Sequence, residues 1–160
     1  MAGGKVKQYR AYVDTSVFGG TQDMEFRDAS ASFFEEVSEG HFHVLISPFV
    51  LEELKSAPKA VQGVLEAVPG NLLEMIAVDD QVKRLAKAYL EAGVLTKRSN
   101  ADAHHVAAAT IARADLIVSW NFKHIVNFDR IKKFNGINLM EGYGVIDIRS
   151  PLEVINVKDR

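Results

Sequence analysis

Residues 99–121 read SNADAHHVAAATIARADLIVSWN, and a change of pattern inside this stretch decides the fold class. Ala101 to Ala114 is rich in alanine, with small residues on almost every side, and Ser99 and Asn100 before it are good helix caps. This run predicts a long helix packed closely between a sheet and its neighbours. Leu116 to Trp120 then predicts a strand, with Asp115 at its entrance and Asn121 just past its end.

The same alternation continues outward in both directions. Upstream, Tyr9 to Val13 reads as a first strand ending at Asp14. Asp28 to Ser38 reads as a helix stopped by Gly40, and His43 to Ile46 as a second strand. Pro48, at the first helical position after Ser47, opens a helix to about Ser56. A further helix covers Lys59 to Val68, and Pro69-Gly70 breaks it. Leu72 to Val78 is a third strand. Asp79 to Ala92 is a helix, with Val82, Leu85, Ala86 and Tyr89 on one face. Downstream, a helix is expected around Phe122 to Phe134 and a last strand over Val145 to Ile148. Strands alternating with helices imply an α/β protein with a mostly parallel sheet of about five strands covered on both faces, a three-layer α/β/α sandwich.

Composition bounds the function. A chain of 160 residues is about one domain, and we read 1–160 as a single one, with residues 1–8 as a flexible N-terminal tail. Domains of this size bury roughly 68–70% of their unfolded surface, so the core needs no staples. With no cysteine, a disulfide framework and a thiolate metal site are both excluded, which fits a cytoplasmic location. No run approaches the ~18 apolar residues of a membrane span. The formal net charge of −2 argues against binding nucleic acid through phosphates alone. Any contact with RNA must rest on local charge and on the site.

In an open parallel sheet, sites form beyond the carboxyl ends of strands, where strand order reverses. Asp14 follows the first strand and Asn121 the fourth, so the two share a crevice if these strands are neighbours. The competing reading makes both turn or cap residues. On the helix opened by Pro48, Val50, Leu51, Leu54 and Ala57 define an apolar face. Glu53 falls roughly 90° from its centre and Glu52 roughly 170°. Glu52 therefore points to water, while Glu53 can reach into a cleft. Asp102 lies in the first turn of its helix, where the dipole favours an acid. Ser99-Asn100-Ala101-Asp102 also resembles a capping box, a purely structural explanation. His104 and His105 are adjacent, face different ways and lack an i+4 partner, so both read as surface or packing residues. His41 and His43 alternate across a strand edge and carry no functional reading. Gly19-Gly20 reads as a loop, since no phosphate-cradle pattern follows it.

Four stretches together resemble the PIN-domain family, including the VapC-type toxins of bacterial toxin–antitoxin pairs. They are Tyr-Val-Asp14-Thr15-Ser16-Val-Phe, Ser47-Pro-Phe-Val-Leu-Glu-Glu53-Leu, Asn-Ala-Asp102-Ala-His-His-Val-Ala-Ala-Ala and Ile-Val-Ser119-Trp-Asn121-Phe-Lys-His-Ile. The resemblance runs over nearly the whole chain in the right order, and the tail from Asn138 through Pro151 shares it. It implies a PIN-like, Rossmann-like sheet and a metal-dependent ribonuclease, either the toxin of such a pair or a related nuclease. By the same resemblance Asp14, Glu53 and Asp102 bind Mg²⁺ or Mn²⁺, and Asn121 completes the catalytic set. Thr15, Ser16 and Ser119 support it with hydrogen bonds. Oxygen-only ligands suit these hard cations. The implied partners are RNA, a cognate antitoxin and a second copy in a homodimer, with no membrane. Lys97, Arg98, Lys123, Arg130, Lys132 and Lys133 could contact phosphates or simply face water. One departure stands out: many members carry Asp where this chain has Asn121, which brings no charge. A PIN-like module that has lost activity and serves in binding is the alternative. A phosphoacceptor domain fits less well, because Asp14 has no acidic neighbour, and an Asp-x-Asp phosphatase fails at Ser16.

Overall fold

The computed structural model describes residues 7–155. Most of the tail expected over residues 1–8 lies outside that range; Lys7 and Gln8 are exposed ahead of the first strand. The strands are β1 (Tyr9–Val13), β2 (Phe42–Ile46), β3 (Leu73–Met75), β4 (Leu116–Val118) and β5 (Asp147–Arg149). The helices are α1 (Thr15–Gly20), α2 (Arg27–Ser38), α3 (Pro48–Lys55), α4 (Lys59–Glu66), α5 (Asp80–Glu91), α6 (Asn100–Ile111), α7 (Phe128–Met140) and α8 (Pro151–Val154).

All strand pairs are parallel, in the order β3-β2-β1-β4-β5. The expected α/β class and five-strand parallel sheet are therefore what the chain adopts. β1 is central and the chain turns outward on both sides of it, so the strand order reverses between β1 and β4. Their carboxyl ends are stitched together where Asp14 N donates to Val118 O at 3.0 Å. Central parallel strands are covered on both faces and read as continuous apolar runs. Ala11, Tyr12 and Val13 of β1 and Ile117 and Val118 of β4 are accordingly sealed from solvent. In α6 the small residues let the helix lie close, and Ala103, Ala107, Ala108 and Ala109 are buried. It packs against α5 and β4.

Departures from the sequence reading have local causes. Gly19-Gly20 is not a loop: it closes α1, a short helix that the sequence did not suggest. The helix expected from Phe122 starts only at Phe128. The Asn127 side chain caps it by accepting from Arg130 N at 3.2 Å, and the residues before it are held by bonds to Asn121. α6 ends at Ile111 rather than Ala114, and Arg113 takes a left-handed φ of 58° just beyond. β3 covers only Leu73–Met75: a 3₁₀ turn takes Leu72, and the strand stops before residues 76–78. β5 begins two residues later than expected, leaving Val145 exposed. On α3, Val50 and Leu54 are buried, but Leu51 is not part of the core.

Gly20 is held to its identity by packing. A Cβ there would lie 2.4 Å from Ser30 Oγ and 2.8 Å from Trp120 Nε1. Those two atoms are hydrogen-bonded at 2.8 Å. The serine hydroxyl can rotate, but the indole is fixed among other rings. Gly20→Ala is expected to destabilise the fold by about 1–3 kcal/mol, the usual cost of overpacking. It should also shift the emission of Trp120, the only tryptophan in the sequence. A thermal melt and a fluorescence spectrum matching wild type would contradict this.

Candidate functional site

Asp14 leaves β1 in extended conformation and caps α1 only with its backbone, so its carboxylate is free to turn into the switch-point crevice. Two hydroxyls hold it there. Ser16 Oγ donates to Asp14 Oδ2 at 2.7 Å, and Ser119 Oγ donates to the same oxygen at 2.8 Å. Each hydroxyl also accepts a backbone N–H from the segment leaving β4: Trp120 N to Ser16 at 2.9 Å, Asn121 N to Ser119 at 3.0 Å. The two serines thus lock the end of β1 to the end of β4. The other oxygen, Asp14 Oδ1, lies 3.9 Å from His105 Nε2, in a residue only 6% exposed.

Glu53 reaches the crevice from α3, as its position on the helix margin predicts. Its Oε1 accepts from Thr15 Oγ1 at 2.6 Å and from His105 Nε2 at 2.8 Å. His105 is sealed in the core, 2% exposed, which fits the packing half of the sequence reading and not the surface half; its bond to Glu53 was not foreseen. Its Nδ1 meets the Tyr12 hydroxyl at 2.7 Å, and that hydroxyl meets Ser47 Oγ at 2.7 Å. A buried polar chain thus runs Ser47–Tyr12–His105–Glu53. The detectable signal was the spacing: His105 is three residues after Asp102, on the same helical face. His104, in contrast, turns outward toward Asn100 O and the Phe49 ring.

Asp102 occupies the first turn of α6. The capping box suggested by Ser99 does not form, since Ser99 makes no side-chain cap bond. The Asp102 carboxylate instead accepts from Asn121 Nδ2 at 3.1 Å, while Asn121 Oδ1 accepts from His124 N at 2.9 Å. Asp14, Thr15, Ser16, Glu53, Asp102 and Asn121 all line one open cleft of about 480 Å³. One ligand atom each from Asp14, Glu53 and His105 lies within 4.8 Å of the others. A cleft of similar volume at the amino end of the sheet is lined by Asp115, Asp147, Arg149 and Glu153. Most of its charges have partners: Arg149 pairs with Asp147 and Glu153, Asp115 accepts from the backbone N–H of Arg10, and Lys7 lies over the Tyr9 ring.

Burial first, and neighbouring charges and hydrogen bonds second, set the electrostatics of the switch-point cleft. Burial, then the charges of Asp14 and Glu53, push the Asp102 carboxyl above its ordinary range, against the opposing pull of His124 and His105. Burial also works against ionised Glu53, but the bonds from His105 and Thr15 and the imidazole charge outweigh it and hold Glu53 low. For His105, burial favours the neutral ring, yet the bond to Glu53 and the charges of Asp14, Glu53 and Asp102 raise its pKa. Burial likewise drives the Tyr12 phenol upward, so it stays protonated as a link in the chain.

No family model matches the sequence, and no curated protein matches it. Solved structures do. A chain of VapBC2 from Rickettsia felis, in a complex bound to a DNA fragment from its promoter, superposes with a TM-score of 0.58 at 18% identity. That match covers 88% of this chain and 98% of the other. A chain of FitAcB from Neisseria gonorrhoeae superposes at 0.53 and 11% identity, covering 90% and 99%. The chain has the PIN-domain fold.

On this PIN-domain frame Asp14, Thr15, Ser16, Glu53, Asp102 and Asn121 line one cleft, and Ser119 bonds Asp14 at its edge. Asp14, Ser16 and Ser119 form one hydrogen-bonded group that Asn121 links to Asp102, while Thr15 and His105 bond Glu53. Of the basic residues, Arg130 is committed elsewhere: its guanidinium donates to the backbone oxygens of Lys123, at 3.0 Å, and Val94. Lys132 lies over the Phe128 ring, 4.9 Å from its centre. Lys97, Arg98, Lys123 and Lys133 are exposed.

Proposed function

We propose that this chain is a divalent-metal-dependent ribonuclease that hydrolyses RNA phosphodiester bonds, acting as a single domain. The observation that carries the reading is the cluster at the reversal of strand order. Asp14 is buried there, and burial first, then the charges of Asp14 and Glu53, push Asp102 toward protonation. Acids that share one cleft are relieved by a cation or by protons, and oxygen donors suit Mg²⁺ or Mn²⁺. The donor chemistry favours Asp14 and Glu53, whose oxygens lie close together, as ligands, with Asp102 of the same cleft, which stands outside that close group, as the third carboxylate. Both His105 nitrogens already have partners, so His105 orients Glu53 rather than adding a ligand. When bound, the ion supplies charge neutralisation for the phosphate and lowers the pKa of a water. The chain's own groups do the rest. Ser16 and Ser119 fix the Asp14 carboxylate, Thr15 and His105 fix Glu53, and Asn121 holds Asp102 with its amide.

The similar folds are chains of VapBC2 and FitAcB, and we extend the proposal to a toxin role with an antitoxin protein as partner and a homodimer as the assembly. Cytoplasmic action fits the absence of cysteine. No helix among the described residues is long and apolar enough to cross a membrane. The alternative, a catalytically weak or inactive module that binds RNA or protein, draws on one observation. Asn121 spends its amide on Asp102 and adds no charge where an acid would.

The deciding experiment incubates the purified chain with RNA in Mg²⁺ or Mn²⁺, with and without chelator. Cleavage that needs the metal supports the nuclease. Intact RNA with measurable RNA or protein binding supports the inert module.

Cation affinity is expected to rise with pH. Asp102 must lose a proton that burial and Asp14 hold above its ordinary 3.8. His105 sheds its positive charge only above its ordinary 6.5. Both losses make the cleft more negative. Mn²⁺ titration calorimetry between about pH 5 and 8, the window in which histidine charge changes, reads this. A flat profile would contradict it.

A further inference from the structure

Beside the acids, the same cleft has an aromatic wall. Phe26 and Trp120 line it together with Asp14, Glu53 and Asp102. Trp120 is buried and anchored, its Nε1 donating to Ser30 Oγ at 2.8 Å above the space that Gly20 leaves. Phe26 stacks on it, with centroids 4.2 Å apart and planes 20° from parallel. Phe122 meets the Trp120 ring edge-on at 6.0 Å and lies 6.4 Å from Phe26. Unlike Trp120, Phe122 is 47% exposed.

The backbone beneath these rings is pinned. Asp23 Oδ1 accepts from Glu25 N at 2.8 Å and Phe26 N at 3.3 Å, and Phe122 N donates to Trp120 O at 2.9 Å. Exposed cations follow both outer rings in sequence, Arg27 after Phe26 and Lys123 after Phe122. A single exposed phenylalanine is ordinary. A pinned three-ring ledge continuous with the cleft proposed to cut RNA is the arrangement that stacks unpaired bases.

We propose that Phe26, Trp120 and Phe122 form a base-stacking subsite, with Phe122 presenting the open ring to an unpaired RNA base next to the phosphate held at the acids. This rests on the ribonuclease reading and adds to it how the substrate is gripped. A base inside a duplex already has both faces covered, so the ledge selects a base out of the helix. Because every base has a π-face, the subsite tolerates sequence.

The test is a double-mutant cycle on the Mn²⁺-loaded protein. Single-stranded oligoribonucleotides carry one abasic nucleotide, moved through the positions around the cut, and are cleaved by wild type and Phe122→Ala. The expected result is a loss in kcat/KM of about tenfold for Phe122→Ala, mainly through KM, as removing one stacking partner implies. An abasic nucleotide at one flanking position should cost wild type a similar factor and cost the variant almost nothing. Phe122→Tyr should restore wild-type behaviour. Mn²⁺ affinity should be unchanged in Phe122→Ala, which separates the ledge from damage to the acids. Losses that multiply independently at every position would overturn the subsite.

If wild type cuts no oligonucleotide, the ribonuclease reading fails. The same cycle is then read as affinity for labelled oligonucleotide, followed by quenching of Trp120. Equal affinity of wild type and Phe122→Ala, or no binding by either, would overturn the ledge as well.

Discussion

Asp14→Asn is expected to abolish metal-dependent RNA cleavage while leaving the fold intact. Asn keeps an oxygen for the hydroxyls of Ser16 and Ser119, which now bond Oδ2 at 2.7 and 2.8 Å, and turns its amide toward the cleft. What is lost is the negative charge at the most buried acid of the cluster. Removing even an outer partner of a metal ligand typically costs 10–100-fold in metal affinity or activity. Removing a ligand's charge should cost more than about 100-fold on that scale. The metal-free variant should melt no lower than wild type, because the repulsion that raises Asp102 is relieved. Isothermal titration with Mn²⁺, an RNA cleavage assay and a melt without metal check the three parts. Cleavage at the wild-type rate would mean a contaminating nuclease or a different site. A variant that melts far lower would mean that Asp14 serves the fold rather than the chemistry.

The second large effect is expected at His105. Alanine there removes a sealed ring that bridges Tyr12 and Glu53 at 2.7 and 2.8 Å. A cavity and an unsatisfied Tyr12 hydroxyl follow, together destabilising the fold by about 2–4 kcal/mol. Glu53 loses one of its two clamps, so Mn²⁺ affinity should fall about 10–100-fold, as for other supporting partners of metal sites. A structural role alone would not predict the accompanying pH signature. The His105 pKa is raised in the fold, from an ordinary 6.5. Its contribution is therefore complete below 6.5 and is lost as pH climbs through the raised value. Asp102, also raised, weakens the fold in the same direction at lower pH, from its ordinary 3.8 upward. Glu53 is lowered, so its contribution is present above its ordinary 4.5 and is lost as pH falls through the depressed value. Metal-free wild type should thus lose stability with rising pH above about 6.5, and His105→Ala should not. Tyr12→Phe, which keeps the ring and removes one link, should show a smaller loss of Mn²⁺ affinity. A wild-type slope preserved in His105→Ala would mean that another group titrates.

Much of this was legible along the chain because it depends on local chemistry. The strand ending at Asp14 and the helix opened by Pro48 are set by apolar runs and capping preferences, and they appear where those patterns put them. Glu53 could be aimed at a cleft from helical angles alone. The failures came where a local pattern had two outcomes. Gly19-Gly20 reads as a turn, yet it lies in a helix because Gly20 must pass close to Trp120 and Ser30. The segment after Trp120 has helical composition, yet hydrogen bonds to Asn121 hold it as turns until Asn127.

By itself, then, the sequence determined the parallel α/β class and the candidate acids, since periodicity and strand-end position follow from residues near one another. Only the tertiary structure decided how they meet. His105 belongs with Glu53 because β1, α3 and α6 converge over 93 residues of chain separating Tyr12 from His105. The Phe26–Trp120–Phe122 ledge likewise unites residues from two distant segments. Such contacts rest on long-range packing and on burial, which turns an ordinary histidine into the clamp of a carboxylate. No window of neighbouring residues encodes that environment.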